Sequence, residues 1–382
     1  MTLLYLVAGE ASGDVLGGRL IAALRARRPD LSFAGIGGPR MAEQGLVSLF
    51  PMEELSLMGL AEVLPKLRGL ARRMAEVEAD VLARRPAALV TIDAPSFTLR
   101  LAARVRPKGV RVIHYVAPQV WAWRQGRVRK IARRVDRLLA LLPFEPPFFE
   151  AAGIPTVFVG HPVLESGADQ GNAARFRTAH GLDPAMKLLA VMPGSRSGEL
   201  ARHLPIFAAA VGLLRDRLGA LAVVVPTLPR LAEPVRAADW PVQPIITTDT
   251  TGKHDAWAAS AAALAKSGTT SLELAVAGVP QVVAYRVNPI TAAIVRRLVT
   301  VPHASLVNLL AGEPIVPERL QERCTPEALA AALAPLLTDT AAADAQRAAF
   351  ARVLGQLRPS GGRAPSEAAA DAVLAELTAA QR

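Results

Sequence analysis

The stretch LLAVMPGSRSGEL, from Leu188 to Leu200, decides the fold that we predict for this chain. Its opening apolar run is long enough for one buried parallel strand, and Pro193 and Gly194 end that strand. An amphipathic helix is expected to begin near Leu200. A glycine-containing turn between a strand and a helix presents free backbone N–H groups at the helix N-terminus, which is a favourable place for an anion.

Arg196 adds a planar fork of donors to this turn, and such a fork fits phosphate oxygens. The turn is not a Walker A loop, because no Gly-Lys-Ser/Thr follows, and it is not a G-x-G-x-x-G dinucleotide fingerprint. The residues alone leave two interpretations open. The turn is either an anion site built on Gly194, Ser195 and Arg196, or an ordinary strand–helix connection with an arginine on the surface.

The start of the chain has the same arrangement. Leu3 to Ala8 is an apolar run, the glycine-rich turn GEASGD occupies residues 9–14, and Val15 to Arg27 has helical periodicity. Two such openings, about half a chain apart, predict an α/β protein. We expect two facing, Rossmann-like, doubly wound domains with a cleft between them. Glu10 and Asp14 in the first turn are candidate site residues, although capping of the helix explains acids there equally well.

Composition restricts the class of protein. The 382 residues suit about two domains, and no apolar run reaches the roughly 18 residues of a membrane-spanning helix. The N-terminal apolar run lacks a preceding basic region and is interpreted as a strand, not a signal peptide. The single cysteine, Cys324, excludes an internal disulfide and favours the cytoplasm. A net charge of +11 favours anionic partners: nucleotide, phosphorylated lipid, membrane surface or nucleic acid.

Polar residues follow several predicted strands, at the positions that line the ligand crevice of doubly wound sheets. Asp93 directly follows Ala87 to Ile92, although it could also cap the next turn. The strand Arg111 to Val116 leads to two tryptophans, Trp121 and Trp123, which either line a site or pack in a core. In the second half, the equivalent positions carry Ser267, Gly268, Thr269, Glu273, Arg286 and Asn308.

Two stretches are both basic and amphipathic. Met52 to Arg73 interleaves leucines with lysine and arginine, and it can lie on an anionic bilayer or form a core helix with a solvated basic face. Arg124 to Arg137, RQGRVRKIARRVDR, can present one broad face that is either solvated or anion-binding. The segment Leu164 to Pro184 is poor in apolar runs and is expected to link the domains. The predicted division is 1–165, 166–345 and C-terminal helices over 346–382.

Several blocks occur together, in order, over nearly the whole chain: GEASGD, TIDAP, HYVAPQVWAW, LLPFE, GHP, PGSR, SGTTSLE, YR and SLVNLLAG. In combination they resemble the lipid-A-disaccharide synthase family. The resemblance implies the glycosyltransferase B (GT-B) fold and an inverting reaction in lipid A (lipopolysaccharide) biosynthesis. In that reaction UDP-2,3-diacylglucosamine and 2,3-diacylglucosamine 1-phosphate give lipid A disaccharide 1-phosphate and UDP. The resemblance also implies catalysis without a metal or other cofactor, and peripheral attachment to the inner face of the bacterial inner membrane.

The resemblance also suggests roles for residues. Asp93 matches an essential acid, Arg196 an arginine near the diphosphate, Glu273 a ribose ligand and Asn308 a functional asparagine; the proline usual before that asparagine is Val307 here. We predict Asp93, Arg196 and Glu10 as catalytic, with Asp93 as the general base and Glu10 as its competitor. The predicted substrate-binding residues are Ser12, Asp14, Gly194, Ser195, Ser267, Gly268, Thr269, Glu273, Arg286 and Asn308. The predicted acyl or membrane contacts are Leu57, Met58, Leu60, Val63, Leu64, Lys66 and Arg68.

The resemblance further implies the anionic membrane surface as a partner, acceptor and lipid binding by 1–165, and UDP-sugar binding by 166–345. The C-terminal helices over 346–382 are expected either to pack back on the N-terminal domain or to be exchanged in a homodimer. Two alternative functions fit the residues less well. A nucleotide-sugar epimerase of the same fold needs no acyl-binding surface such as 55–70. A basic nucleic-acid-binding protein would explain the charge, but not two strand–glycine turn–helix openings with acids at strand ends, so we expect no nucleic-acid partner.

Overall fold

A computed structural model describes residues 2–55 and 63–379, and these divide into two units. The first unit is Met1–Pro162 together with Leu357–Arg382, and the second unit is Val163–Gln356. Among the predicted membrane contacts, Leu57, Met58 and Leu60 lie outside the described residues. Val63, Leu64, Lys66 and Arg68 lie in a helix that spans Val63–Arg84. Within the described ranges, we find no helix with the length and hydrophobicity that a membrane crossing requires.

The first unit is built on one parallel sheet of six strands. The strands are β1 (Thr2–Ala8), β2 (Leu31–Ile36), β3 (Ala88–Ile92), β4 (Val112–Tyr115), β5 (Arg137–Ala140) and β6 (Thr156–Phe158), in the order β2-β1-β3-β4-β5-β6. The intervening helices are α1 (Ala11–Arg27), α2 (Pro39–Glu43), α3 (Val63–Arg84), α4 (Pro95–Val105), α5 (Val128–Ala132) and α6 (Glu145–Glu150). Because helices cover both faces, the central strands are apolar and buried almost throughout.

The second unit has the same architecture. Its strands are β7 (Lys187–Met192), β8 (Leu221–Pro226), β9 (Ile245–Thr247), β10 (Ala262–Lys266), β11 (Gln281–Tyr285) and β12 (Glu318–Leu320). All neighbours pair in parallel, in the order β12-β11-β10-β7-β8-β9. Its helices are α7 (Ala173–Ala179), α8 (Ser197–Leu218), α9 (Ala232–Arg236), α10 (Thr250–Ala259), α11 (Thr270–Val276), α12 (Pro289–Leu298), α13 (Leu306–Ala311), α14 (Pro326–Thr338) and α15 (Thr340–Gln356). Both predicted strand–turn–helix openings are therefore present, and α8 begins three residues earlier than we expected.

The C-terminal division differs from the predicted 346–382, because α15 continues without a break to Gln356 and belongs to the second unit. The last helix, α16 (Pro365–Ala379), packs against α1 of the first unit. The carboxylate of Glu376, only 4% exposed, is held between Arg111 and Arg137. The first division falls at Pro162, close to the predicted 165.

Candidate functional site

In the first unit, the carboxyl end of β3 has an unusual backbone. Asp93 and Ala94 both have positive φ angles, 50° and 44°, a region that non-glycine residues occupy at a cost. Two hydrogen bonds to the backbone of Asp93 hold the turn. The Asp93 N–H donates to the Tyr115 carbonyl at 2.9 Å, and the Thr98 hydroxyl donates to the Asp93 carbonyl at 2.7 Å. Gly9 leaves room for this turn, because a Cβ there would lie 2.8 Å from the Ala94 Cβ.

The Asp93 side chain lies beside the first turn of α1. Its carboxylate is half-buried and lies 3.4 Å from the Ser12 hydroxyl, which donates to it. Glu10 is exposed at the N-cap position of α1, and its side chain does not cap the helix. Glu10 therefore occupies the N-cap position of α1 without a side-chain capping hydrogen bond. The structure places Asp93 and Ser12 together and puts Glu10 at the start of the same turn.

Asp14 has a different environment from the other predicted site residues. It is 3% exposed and accepts three backbone hydrogen bonds, from the N–H groups of Gly38 (2.8 Å), Arg40 (2.9 Å) and Met41 (3.0 Å). Both carboxylate oxygens are thus engaged at the start of α2. Substrate binding by Asp14 stays a prediction; in this structure its carboxylate fixes the loop after β2.

Sequence reasoning missed Glu145, which is 2% exposed beyond the end of β5. Its carboxylate accepts hydrogen bonds from the indole N–H of Trp121 (3.0 Å) and from the backbone N–H groups of Leu141 (3.0 Å) and Leu142 (2.9 Å). Burial raises the pKa of Glu145 to about 7, against the opposing effect of those donors. The block LLPFE and the Trp121 loop are therefore one hydrogen-bonded unit beside the end of β4.

In the second unit, the turn after β7 carries Gly194, Ser195 and Arg196. Gly194 has a φ of 132°, and a Cβ there would lie 2.7 Å from the Glu199 Cβ, so only glycine fits. The Arg196 side chain is 79% exposed, and its guanidinium lies 3.9 Å from the Glu199 carboxylate. This guanidinium is therefore accessible to a ligand. The Ser195 N–H already donates to Glu199 at 3.3 Å, so this donor is engaged within the protein.

Glu199 connects the turn after β7 to the end of β10. Besides the Ser195 N–H, it contacts the Lys266 ammonium at 3.0 Å. Burial of Glu199 disfavours its charged form, but Lys266, Arg196 and the Ser195 N–H together outweigh this effect and hold the pKa of Glu199 below its usual value. A charged Glu199 and a charged Lys266 therefore face each other beneath the Arg196 turn.

His203, one turn further along α8, joins two strand ends that are not neighbours in the sheet. Its Nδ1 lies 3.0 Å from the Pro193 carbonyl, and its Nε2 accepts the Arg286 N–H at 3.0 Å. A carbonyl only accepts and an N–H only donates, so the proton is on Nδ1 and the ring is neutral. The side chain is fully buried, and burial lowers the pKa of His203. The exposed Arg286 is thereby held in register with the turn after β7.

The remaining predicted residues surround the turn between β10 and α11. The Ser267 hydroxyl donates to the Ala304 carbonyl at 2.9 Å, and the Gly268 carbonyl accepts from the Ser271 hydroxyl at 2.8 Å. Thr269 is the N-cap residue of α11. Glu273, in the first turn of that helix, pairs with Lys253 at 3.2 Å, and both side chains are partly exposed.

Asn308 is fully buried, and its amide is engaged at both ends. It donates to the Val316 carbonyl and to the Glu318 carboxylate, and it accepts the Val316 N–H, each at 2.8 Å. Glu318 also accepts the N–H groups of Ala304 and Ser305. Substrate contact by Asn308 stays a prediction; in this structure its amide holds Glu318, and Glu318 fixes the loop that contacts Ser267.

The residues of the second unit therefore form one constellation at the carboxyl ends of β7, β10 and β11. Arg196 and Arg286 supply exposed guanidinium groups, and Glu273 lies at the start of α11. Ligands of doubly wound sheets bind at this edge. Glu199, Lys266 and His203 support the constellation from below. Glu199 and Lys266 lie within or next to the sequence motifs described above, whereas nothing in the sequence distinguishes His203 from other residues of its helix.

Comparison with known proteins identifies the family. A family model described as lipid-A-disaccharide synthetase matches residues 4–372. The lipid-A-disaccharide synthase of Rhodospirillum centenum is 53% identical over 384 residues, covering 98% of this chain and 95% of the relative. That of Granulibacter bethesdensis is 51% identical, covering 97% and 98%.

Two solved structures show the fold. UDP-GlcNAc 2-epimerase from Neisseria meningitidis, bound to UDP-GlcNAc, aligns with a TM-score of 0.64 at 11% identity, covering 99% of this chain and 100% of that one. Sucrose-phosphate synthase from Thermosynechococcus elongatus aligns with a TM-score of 0.63 at 12% identity, covering 100% of each chain. These likenesses carry the fold alone, and they confirm the GT-B prediction. With the fold, the family model and the relatives in agreement, the chain belongs to the lipid-A-disaccharide synthase family.

Proposed function

We propose that this enzyme transfers 2,3-diacylglucosamine from UDP to 2,3-diacylglucosamine 1-phosphate, with inversion, and releases UDP and lipid A disaccharide 1-phosphate. Binding of the UDP-sugar donor is supported by the constellation of residues at the ends of β7, β10 and β11. Its two exposed guanidinium groups, Arg196 and Arg286, suit a diphosphate, and the carboxylate of Glu273 suits the ribose hydroxyls. Family membership supports the lipid A product.

The acceptor half of the proposal rests on Asp93. In an inverting transfer, the acceptor hydroxyl oxygen forms a bond to the anomeric carbon while the bond from that carbon to the UDP oxygen breaks. The hydroxyl proton passes to the Asp93 carboxylate, and the bonding electrons leave with UDP. The positive φ angles at Asp93 and Ala94 hold this carboxylate at the strand end, and the Ser12 hydroxyl donates to it. Glu10 remains the competing base.

Charge that develops on the departing UDP is stabilised by guanidinium groups that are in place before the reaction. In this proposal Arg196 and Arg286 perform that task, and no metal ion is required. Activity is then expected to survive EDTA. Loss of activity on EDTA treatment, with recovery on addition of Mg²⁺, would contradict this part of the proposal.

Both substrates carry acyl chains, so the proposed site of action is the inner face of the bacterial inner membrane, with the protein attached peripherally. The stretch 55–70 remains the proposed acyl contact. The homodimer also remains a prediction; within the described chain, α16 packs on α1 of its own first unit. An anionic membrane is the proposed surface partner, and nucleic acid is not.

The proposal is tested by incubating the purified protein with UDP-2,3-diacylglucosamine and 2,3-diacylglucosamine 1-phosphate in detergent. We expect equal amounts of UDP and disaccharide 1-phosphate, with an inverted anomeric centre by NMR. Release of UDP without disaccharide would indicate a hydrolase. Conversion of the donor to its 2-epimer would indicate an epimerase of the same fold.

A further inference from the structure

The segment from Trp123 to Arg134, which we call the basic surface, is not used by the proposed mechanism. It runs from the end of the Trp121 loop through α5 in the first unit. Its six cations are Arg124, Arg127, Arg129, Lys130, Arg133 and Arg134. No acidic residue occurs anywhere between residues 94 and 135. A local positive charge of this size is therefore not balanced within its own sequence.

The three-dimensional structure does not balance this charge either. Among the residues that the structure describes, none of the six cations forms an ion pair with an acid. The basic residues that flank the segment behave differently. Arg104 and Lys108 pair with Glu78, Arg106 pairs with Asp136, and Arg111 and Arg137 share Glu376. Pairing is thus the rule on both sides of the basic surface and stops within it.

The aromatic residue of the basic surface is also exceptional. Trp123 is 40% exposed, whereas Trp121, Trp240 and Trp257 are 8%, 7% and 1% exposed. The guanidinium of Arg124 lies 4.2 Å from the centre of the Trp123 ring. Tryptophan is favoured at the boundary between water and lipid, where its ring is partly buried and its N–H stays hydrated. An exposed tryptophan beside cations without ion pairs therefore suits a lipid headgroup layer, which offers both a water–lipid boundary and anionic groups.

The basic surface begins beyond the functional edge of its sheet and, because β4 and β5 are parallel, leads back to the amino end of β5. It follows β4, the immediate neighbour of β3, and the end of β3 carries Asp93. Parallel neighbours have their carboxyl ends at the same edge. The part of the basic surface nearest to the end of β4, Trp123 and Arg124, is therefore also nearest in the chain to the sheet edge that carries the proposed base.

We propose that the basic surface docks the first unit on an anionic phospholipid bilayer, with Trp123 at the headgroup layer. The inference deepens the proposed function, in which both substrates reside in a bilayer. It rests on that function for the reason why the protein would bind a bilayer, and not for the binding itself. The cations belong to one exposed segment without a buried polar group among them, and such a surface suits a diffuse anionic plane better than a single small phosphate. A nucleic acid is the other diffuse anion, and the experiment below separates the two.

The test measures binding of the full chain to vesicles by co-sedimentation. One set contains phosphatidylcholine with about a quarter phosphatidylglycerol, and the other contains phosphatidylcholine alone. Each basic residue near an anionic surface strengthens binding about fivefold, so the triple variant Arg127→Gln/Lys130→Gln/Arg133→Gln should bind the anionic vesicles about 100-fold more weakly. Binding of the wild type should weaken at high salt, because salt screens exposed charges.

A matched control removes the same charge elsewhere. The triple variant Arg217→Gln/Arg323→Gln/Arg358→Gln replaces three exposed arginines outside the basic surface. If the basic surface is the lipid contact, this control should bind anionic vesicles within about twofold of the wild type, because it leaves all six cations in place. Equal losses in both variants would show that net charge alone drives binding, and they would overturn the proposal. Undiminished binding of the Arg127 triple variant would overturn it as well.

Trp123 provides an independent test of which part of the protein contacts the lipid. Vesicles with brominated acyl chains should quench the tryptophan emission of the wild type, and Trp123→Phe should lose most of that quenching. Unchanged quenching in the variant would place another tryptophan at the lipid. If a duplex oligonucleotide binds the wild type more tightly than anionic vesicles do, and the Arg127 triple variant loses that binding, the basic surface is a nucleic-acid site and the proposal is wrong.

Failure of this inference can be distinguished from failure of the proposed function. With substrates dispersed in detergent, the Arg127 triple variant should turn over within about twofold of the wild type, because no bilayer is involved. With substrates embedded in anionic vesicles, its turnover should fall in parallel with its binding. Turnover in detergent equal to that of the wild type, with unchanged turnover on vesicles, overturns the docking role alone. An absence of any disaccharide from the wild type overturns the proposed function alone.

Discussion

Arg196 projects from a turn whose shape depends on Gly194, and its guanidinium is 79% exposed. If this side chain stabilises the leaving diphosphate, Arg196→Ala should lower kcat by about 100-fold, which is the typical effect of losing one preorganised donor. The folded protein should remain as stable as the wild type, because the side chain is exposed and its 3.9 Å contact with Glu199 is long. Steady-state kinetics and thermal unfolding check both points. Near-normal kcat would remove Arg196 from the catalytic machinery.

Asp93 and Glu10 compete for the role of general base. Asp93→Asn keeps the shape and can still receive the Ser12 hydrogen bond, but it cannot take the proton. We expect a folded protein that binds UDP normally and turns over about 100-fold more slowly, the usual range for a general base. Glu10→Gln is the matched variant, with a change of the same kind on the turn that carries Ser12. If Glu10→Gln loses turnover and Asp93→Asn does not, the base is Glu10.

His203 holds two backbone groups at once, and two conservative substitutions separate its bonds. Asparagine can keep the donor to the Pro193 carbonyl, and glutamine can keep an acceptor for the Arg286 N–H. Each variant loses one hydrogen bond, so KM for the UDP-sugar should rise about tenfold with a smaller change in kcat. In the wild type, kcat/KM should fall when acid protonates the ring, since Nε2 then ceases to accept. His203→Gln should lack that fall; unchanged KM in both variants would indicate a purely structural histidine.

At the scale of elements, periodicity predicted most of the fold. Apolar runs of strand length that end at glycine or proline located β1, β3, β7 and β10, because both faces of these strands are covered. The direction in which a polar side chain points was harder to predict from the sequence. Asp14 and Asn308 stand beside strand or helix ends as substrate ligands would, yet their polar atoms point inward to backbone groups. His203 gave no signal, since its partners are backbone atoms of distant turns.

Two placements were predicted for the C-terminal helices, on the N-terminal domain or exchanged in a dimer, and the alanine-rich sequence of α16 does not choose between them. Its position rests on Glu376, which is 4% exposed between Arg111 and Arg137. Glu376→Gln leaves two cations without their carboxylate and should lower the free energy of unfolding by about 1–3 kcal/mol, since both arginines are only partly buried. Urea titration, with limited proteolysis of α16, measures the effect.

Glu367 on the same helix supplies the control for Glu376. Its side chain is 47% exposed and lies 3.8 Å from Arg27. Glu367→Gln should change the free energy of unfolding by no more than about 0.5 kcal/mol, as is usual for exposed pairs. Equal effects from the two substitutions would show that the buried carboxylate does not anchor the helix.

At the scale of the whole molecule, buried histidines predict sensitivity to acid. Burial lowers the pKa of His114 and of His161 to about 4, and it also lowers the pKa values of His203 and His254. The unfolded chain protonates these rings near pH 6.5, while the folded protein does not. The unfolded state therefore binds more protons as the pH falls below about 6.5, and stability is lost in that direction. The interior of the protein thus favours neutral or mildly basic pH.

Glu145 opposes this trend within the first unit. Burial raises its pKa to about 7, so between about pH 4.5 and 7 the folded state holds a proton that the unfolded state has released. Near pH 5.5, the unfolded state binds about two more protons than the folded state at His114 and His161. At Glu145 the folded state binds about one more proton than the unfolded state. The net difference of about one proton lowers the free energy of unfolding by about 1.4 kcal/mol for each pH unit of acidification.

Glu145→Gln removes the opposing group and keeps an amide oxygen that can accept from Trp121. The pH dependence of the first unit should then steepen to about 2.7 kcal/mol per pH unit between pH 6 and 5, because two histidines act without compensation. Hydrogen exchange of β4 amides across this range reports the first unit separately from the second. Glu150→Gln, an exposed position at the end of α6, should leave the slope of the wild type unchanged. An unchanged slope in Glu145→Gln would mean that Glu145 is ionised in the folded protein.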